Sequence, residues 1–310
     1  MIIVGAGMAG LLAAAMLRDE AESIYEVQEA LPNNHSALLR FRSNVVGEAL
    51  NIPFKQVSVL KAIVPWRNPV ADALAYSHKT NGTARLRSII SAKGESEVRW
   101  VAPTNLIDRM ARKVSCPVYI GQKYTGWTTK RLPLISTMPM PMLMEVLGYP
   151  ITEAFDHIPG HNIIADLDRV NAYCTLYVPN ESLAFSRVSI TGSRLIAECY
   201  GRKTPPTETD LFDALSIVGL DLDWVKNWEI KQQRYAKIVP IDESYRRGFI
   251  SWASREHNIY SLGRFATWRP ELLLDDVVKD VRVIQRLAGG EENERYHQTQ
   301  KGNLHARVLD

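Results

Sequence analysis

The sequence predicts an α/β protein, in which a parallel-sheet domain built from both ends of the chain carries an inserted α+β domain rich in antiparallel strands. Three observations carry this expectation. The glycine-rich turn Gly5-x-Gly7-x-x-Gly10 stands between a short apolar strand and an Ala/Leu-rich helix at 11–18. Residues 173–200 hold three alternating segments separated by turn residues. A strand, a Gly-Arg turn and a long helix follow at 259–287.

Taken in order, residues 1–4 read as a buried strand, 5–10 as the turn, and 23–28 as a second strand. Two amphipathic helices are expected at 54–63 and 70–77, then a strand at 85–91. Thr104 suits the N-cap of a helix running to about Lys113. Segments 118–121 and 132–137 read as strands returning to the sheet, and Pro139 and Pro141 break the chain after the second. Segments 173–178, 184–190 and 194–200 alternate as antiparallel strands, with turns at Asn180 and Gly192. Thr207 and Asp210 have the spacing of a helix capping box. The chain returns through a strand at 259–262, the turn Gly263-Arg264 and a helix over 271–287, with Pro270 where a first turn tolerates proline. The expected domains are 1–148 with 236–288, an insertion at 149–235, and a polar tail at 289–310.

Composition excludes several classes. The chain of 310 residues is 46% hydrophobic and 23% charged, as expected of a soluble globular protein. A net charge of +3 does not by itself announce a nucleic-acid partner. Cys116, Cys174 and Cys199 form no CxxC pair, so neither zinc nor a disulfide framework is expected. His157 and His161 are separated by Pro159-Gly160 and cannot be a helical ligand pair, so no metal is expected. No apolar run approaches the ~20 residues that span a bilayer. The N-terminus lacks the basic leader of a signal peptide, and a cytoplasmic location without a membrane partner is expected.

The glycine motif carries the first chemistry. Gly5 permits the tight turn, Gly7 lets a pyrophosphate approach the backbone, and Gly10 lets the helix pack on the sheet. The helix N-terminus then presents free N–H groups to phosphate. An acid at the end of the second strand should bind the ribose hydroxyls. Glu29 is the expected residue and Glu26 its competitor, and either disfavours a 2′-phosphate.

In this setting the run IIVGAGMAGLLAA, with VQEA after it, resembles the opening of the FAD-dependent amine oxidase and UDP-galactopyranose mutase superfamily, Rossmann-type FAD-binding flavoenzymes. LPLISTMPMPML at 132–143 is similar to the family's strand and Ser/Thr-x-Pro loop, and IYSLGRFATWRPELLLDDVVKDV at 259–281 to its C-terminal flavin signature. The resemblance implies FAD as cofactor. It implies contacts from Gly5, Gly7, Met8, Ala9, Gly10, Glu29, Val118, Pro139, Gly263, Arg264, Leu274 and Asp275. YVPNESLAFSRVSI at 177–190 resembles a substrate-cleft strand of the mutases. Arg187 there matches an arginine that meets phosphates, with Tyr177 and Phe185 beside it, and Trp268 is a further expected substrate contact. The family's Gly-Gly pair is replaced by LPNNHSALLRFRS, where Arg40 and Arg42 are expected to pair with the FAD phosphates and His35 is a candidate acid/base.

The implied activity is that of an FAD-dependent oxidoreductase or lyase acting on a C–H bond next to an amine. An amino-acid-modified pyrimidine in phage DNA is one such substrate, met by Arg187, Arg194, Arg202 and Lys203 in the host cytoplasm. Two alternatives stand beside it: redox-neutral mutase or transferase chemistry on a nucleotide-linked substrate, and a non-catalytic dinucleotide-binding regulator.

Overall fold

The apolar N-terminal residues form strand β1 (Ile2–Val4), and the Ala/Leu run after the glycine turn forms helix α1 (Met8–Leu17). A computed structural model describes residues 1–31, 39–64, 68–81, 94–127, 132–201 and 204–289. Helix α1 is apolar on every side, and Leu11, Leu12, Ala13 and Ala14 are fully buried. Such a helix has to be covered all round. One side of it meets a sheet, and α4 (Leu106–Ala111) and α8 (Leu274–Ala288) cover the other.

That sheet is wholly parallel. It contains β1, β2 (Ser23–Glu26), β6 (Val118–Ile120), β7 (Leu134–Ser136) and β13 (Ile259–Ser261), in the order β13-β7-β1-β2-β6. Both ends of the chain therefore lie in one sheet, as the motif order predicts. On its far face Leu134 and Ile259 pack with Met140, Leu143 and Met144 of α5 (Met140–Leu147) and Phe249 and Ala253 of α7 (Glu243–His257). Pro139 and Pro141 open α5 rather than leave the chain irregular, because a first helical turn has no N–H bonds to lose.

Among the described residues the second sheet has eight strands. They are β12 (Val225–Ile238), β8 (His157–Leu167), β11 (Arg194–Tyr200), β10 (Arg187–Gly192), β9 (Ala172–Tyr177), β4 (Lys55–Ile63), β5 (Glu95–Val101) and β3 (Arg40–Phe41), in that spatial order. Every pairing is antiparallel except β4 with β9. Helix α6 (Glu208–Ile217) covers one face, burying Leu211, Ala214 and Leu215 against Val188, Ile190 and Ala197. Its Thr207–Asp210 capping box forms as expected. The other face carries the alternate residues Lys61, Thr175, Tyr177, Arg187, Ser189 and Glu198.

This polar face is concave. Arg40 on β3 donates to Thr175 Oγ1 at 2.6 Å and to the Cys174 carbonyl at 3.2 Å, both on β9. Strands β5 and β4 lie between, a span of about 14 Å in a flat sheet at ~4.8 Å per strand. The contact closes only because the sheet curls.

Several expectations are corrected. The helix expected at 54–63 is strand β4, where Val57 and Val59 are buried between exposed Gln56, Ser58 and Leu60. A period of two with β-branched residues decides that segment. The helix at 70–77 is α3 (Pro69–Asn81), while the strand expected at 85–91 lies outside the described residues. The C-terminal helix starts at Leu274, so Pro270 sits in the preceding turn. Among the described residues no helix is long and apolar enough to cross a membrane.

Candidate functional site

The carboxyl ends of β1, β7 and β13 converge. Thr137 N–H donates to the Val4 carbonyl at 2.9 Å, and Leu262 N–H to that of Ser136 at 2.9 Å. A cavity of about 350 Å³ opens there, lined by Gly7, Met8, Ala9, Thr137, Gly263 and Arg264, and by residues 39–41 and 272–275. The glycine turn, the Gly-Arg turn and the start of α8 thus face one space.

The turn is built by close approach. Gly5 has φ +98°, and a Cβ there would stand 2.1 Å from Thr137 Oγ1. A Cβ on Gly10 would stand 1.9 Å from the Gly5 carbonyl oxygen, so only glycine lets α1 leave the turn at this angle. Gly7 differs: among the described residues nothing lies within 4 Å of a Cβ placed there, and it borders the cavity. Among the described residues no side chain caps α1, whose first-turn N–H groups lie beside that space. Gly263 has φ +93° and packs so near Ala9 that a Cβ would stand 2.9 Å from the alanine methyl.

Acidic groups flank the cavity. Glu26 ends β2 and is buried, accepting from Ala6 N–H at 2.7 Å and Gln28 N–H at 2.9 Å. Glu29 is exposed three residues further on, so Glu26 is the acid held against the glycine turn. Asp275 accepts from Ser43 N–H and Oγ at 3.0 and 2.8 Å through Oδ1. Its Oδ2 is buried with no hydrogen-bond partner among the described residues.

The arginines stand apart from one another in role. Arg264 turns to the Leu272 carbonyl, 3.4 Å from both Nε and Nη2, and burial lowers its pKa. Burial, with Arg187 nearby, lowers Arg40 to about 10. Arg42 is exposed. Arg187 forms an ion pair with Glu198 on β11. Burial opposes its charge, yet the Glu198 carboxylate and Tyr200 hold its pKa well above the ordinary value. The loop that delivers Arg187 is held by α3: Lys79 Nζ donates to the carbonyls of Val178, Asn180 and Phe185 at 3.1, 2.5 and 2.6 Å.

The remaining expected residues separate. Tyr177 pairs with Arg187 across β9 and β10 and meets Tyr76 edge-on at 5.3 Å. Phe185 is fully buried in the core beneath α6, on the side opposite Arg187. An alternation that would place both in the cleft fails because Phe185 precedes β10, between bends at Ala184 and Ser186. Trp268 is also core rather than cleft, 1% exposed, with φ +46°, its Nε1 donating to the Val239 carbonyl at 2.9 Å and Phe155 edge-on to it. Val118 packs against the core under β6 and Pro139 precedes α5, neither lining the cavity. Leu274 lines it. Arg194 stands near Asp166 and Glu229. His35, Arg202 and Lys203 lie outside the described residues. Sequence reading missed Ser43, Thr137, Glu198, Lys61 and Arg99; the alternation of 55–63, read with period two, would have revealed the face that holds Lys61.

No protein-family profile matches the chain, and no curated protein matches it in sequence. Solved structures do. Reduced UDP-galactopyranose mutase superposes with a TM-score of 0.64 at 14% identity, over 93% of this chain and 95% of that one. The fold is that of the Rossmann-type flavoenzymes. An oxidoreductase from Methanosarcina mazei gives 0.55 at 10% identity, over 92% and 99%. Glycerol-3-phosphate dehydrogenase from Bacillus halodurans, complexed with FAD, gives 0.55 at 11%, over 93% and 64%. The likeness read from a few motifs thus extends over most of the chain at the level of fold.

Proposed function

We propose that this protein is an FAD-dependent enzyme that oxidises a C–H bond next to an amine on an anionic substrate. One observation carries the cofactor: the glycine turn, the Gly-Arg turn and the start of α8, far apart in sequence, line one cavity. The residues there fit the group. Gly7 leaves open space where a pyrophosphate would pass, and α1 offers uncapped N–H groups and its positive end. Glu26 keeps lone pairs for ribose hydroxyls. Asp275 Oδ2 is an acceptor waiting for a ligand donor.

When bound, the flavin supplies the hydride acceptor, and the chain supplies position and charge. Arg40 and Arg264 bring positive charge to the cavity. Arg187, oriented by Glu198, faces the concave side of the second sheet, where a guanidinium recognises phosphate or carboxylate. Loss of a hydride equivalent beside an amine leaves an imine, and addition of water to it releases the amine and leaves a carbonyl, so that the C–N bond is cleaved. An amino-acid-modified pyrimidine in DNA meets both demands, an oxidisable C–H beside nitrogen and phosphates.

The test is direct. Purified protein should be yellow and release FAD on denaturation, and an amine substrate should bleach it anaerobically. Arg187→Ala should keep flavin and lower kcat/KM about ten- to a hundredfold, with Arg187→Lys restoring part. Colourless protein that takes up no FAD would end the proposal. The likeness to reduced UDP-galactopyranose mutase over nearly its whole length favours one second reading, redox-neutral chemistry on a nucleotide-linked substrate. Turnover only after prior chemical reduction would select it.

A further inference from the structure

The concave face of the second sheet carries more positive charge than its own carboxylates meet. Lys61 Nζ lies 2.6 Å from Glu97 Oε2, and Arg99 bonds the same oxygen. Arg187 holds Glu198. Among the described residues Arg40, on the same face, and Arg264, in the Gly-Arg turn after β13 of the first sheet, bond neutral oxygens. Among the described residues, these five cations therefore meet two carboxylates at bonding distance. A dinucleotide brings one negative charge on each of its two phosphates. Arg40 and Arg264 line the cavity and account for that charge. Lys61 and Arg99 do not line it. Among the described residues they remain two cations on one acid.

Their setting is that of a site rather than a solvated surface. Both side chains are about one-fifth exposed, 19% and 20%, on the inner side of a curled sheet. They stand on neighbouring strands, β4 and β5, converging on one point. Beside them Thr175 and Ser189 hydroxyls lie 3.1 Å apart. Burial, reinforced by Arg99, Arg40, Arg42 and Arg187, lowers the Lys61 ammonium to about 8, so the face already repels its own charge. A bound anion would relieve that repulsion.

We infer that Lys61 and Arg99 form a phosphate-binding subsite on the concave face, separate from the dinucleotide cavity and from Arg187, which holds a phosphate of the substrate. The inference rests on the flavoenzyme reading only in assigning the cavity cations to the cofactor. Two sources share this chemistry, a nucleoside diphosphate and the backbone of an oligonucleotide.

Calorimetric titration of the FAD-loaded protein tests it, with inorganic pyrophosphate, uridine diphosphate and a short thymidine oligonucleotide as probes. At least one should bind, and binding should weaken with salt. Lys61→Ala and Arg99→Ala should each weaken it about ten- to a hundredfold while flavin content stays unchanged. Glu97→Gln should act in the opposite direction, tightening binding because it leaves both cations unpaired. A merely structural ion pair would not do this. Tighter binding of the oligonucleotide than of uridine diphosphate supports the subsite with nucleic acid as its source, and the reverse order supports it with a small nucleotide. Absence of binding by all three probes, or a Glu97→Gln protein that binds no more tightly than wild type, overturns the inference. Failure of the flavoenzyme reading shows separately, as protein that takes up no FAD; the dependence of pyrophosphate binding on Lys61 and Glu97 is still read on that protein.

Discussion

Gly7 and Gly10 stand three residues apart and answer opposite constraints. Gly10 is required by the protein itself, since its Cβ would meet the Gly5 carbonyl at 1.9 Å. Gly7 has free space about it among the described residues, so no contact there requires glycine. Gly7→Val should therefore leave the unliganded protein within about 1 kcal/mol of wild type and abolish FAD retention. Gly10→Ala should destabilise by about 1–3 kcal/mol through overpacking. Thermal melts with flavin absorbance separate the two. Lys61 gives a pH signature of its own. Its folded pKa is lowered to about 8, so between there and its ordinary value the unfolded chain binds more protons. Its contribution to stability therefore rises with pH through that window, and the cost of burying its charge is present in full below it. Denaturant melts of wild type against Lys61→Met should show a difference on the order of 1 kcal/mol between neutral pH and pH of about 10.

At the scale of elements, caps and periodicity decide more than composition. Thr207 N–H donates to Asp210 Oδ2 at 2.7 Å, closing the box that starts α6, and α6 covers the core face of the second sheet. Thr207→Ala should cost about 0.5–2 kcal/mol, read as a lower denaturant midpoint with an unchanged slope. The box was legible because its spacing is local. Strand β4 was legible too, but only with period two given priority over a short amphipathic reading. The bend before β10 was not legible. There Lys79 of α3, about a hundred residues earlier in the chain, bonds three carbonyls of the 178–185 segment, and Phe185 lies in the core rather than the cleft.

For the whole molecule, the cavity joins the two ends of the chain. Gly7 and Arg264 are brought together only by the strand order β13-β7-β1. A ligand there binds the native state alone, so FAD should raise stability with concentration, by about 2.7 kcal/mol at a hundredfold excess over Kd. Protein stripped of flavin should melt lower and recover on FAD addition; a melt insensitive to FAD would place the ligand elsewhere. The sequence by itself determined the glycine-turn end of the cavity: the turn, the strands flanking it and the Gly-Arg return are set by φ and close approach, which act within a few residues. Tertiary structure alone decided the rest. Glu26 rather than Glu29 meets the turn because it follows directly on Tyr25, the last residue of β2 paired with β1, and its carboxylate reaches Ala6 N–H. Arg40, Lys61, Arg99 and Arg187 share a face only because β3, β5 and β4 pair across long stretches of chain with the β9–β10 hairpin and the sheet then curls. Such pairing depends on which strand edges meet, and no local pattern of residues specifies that.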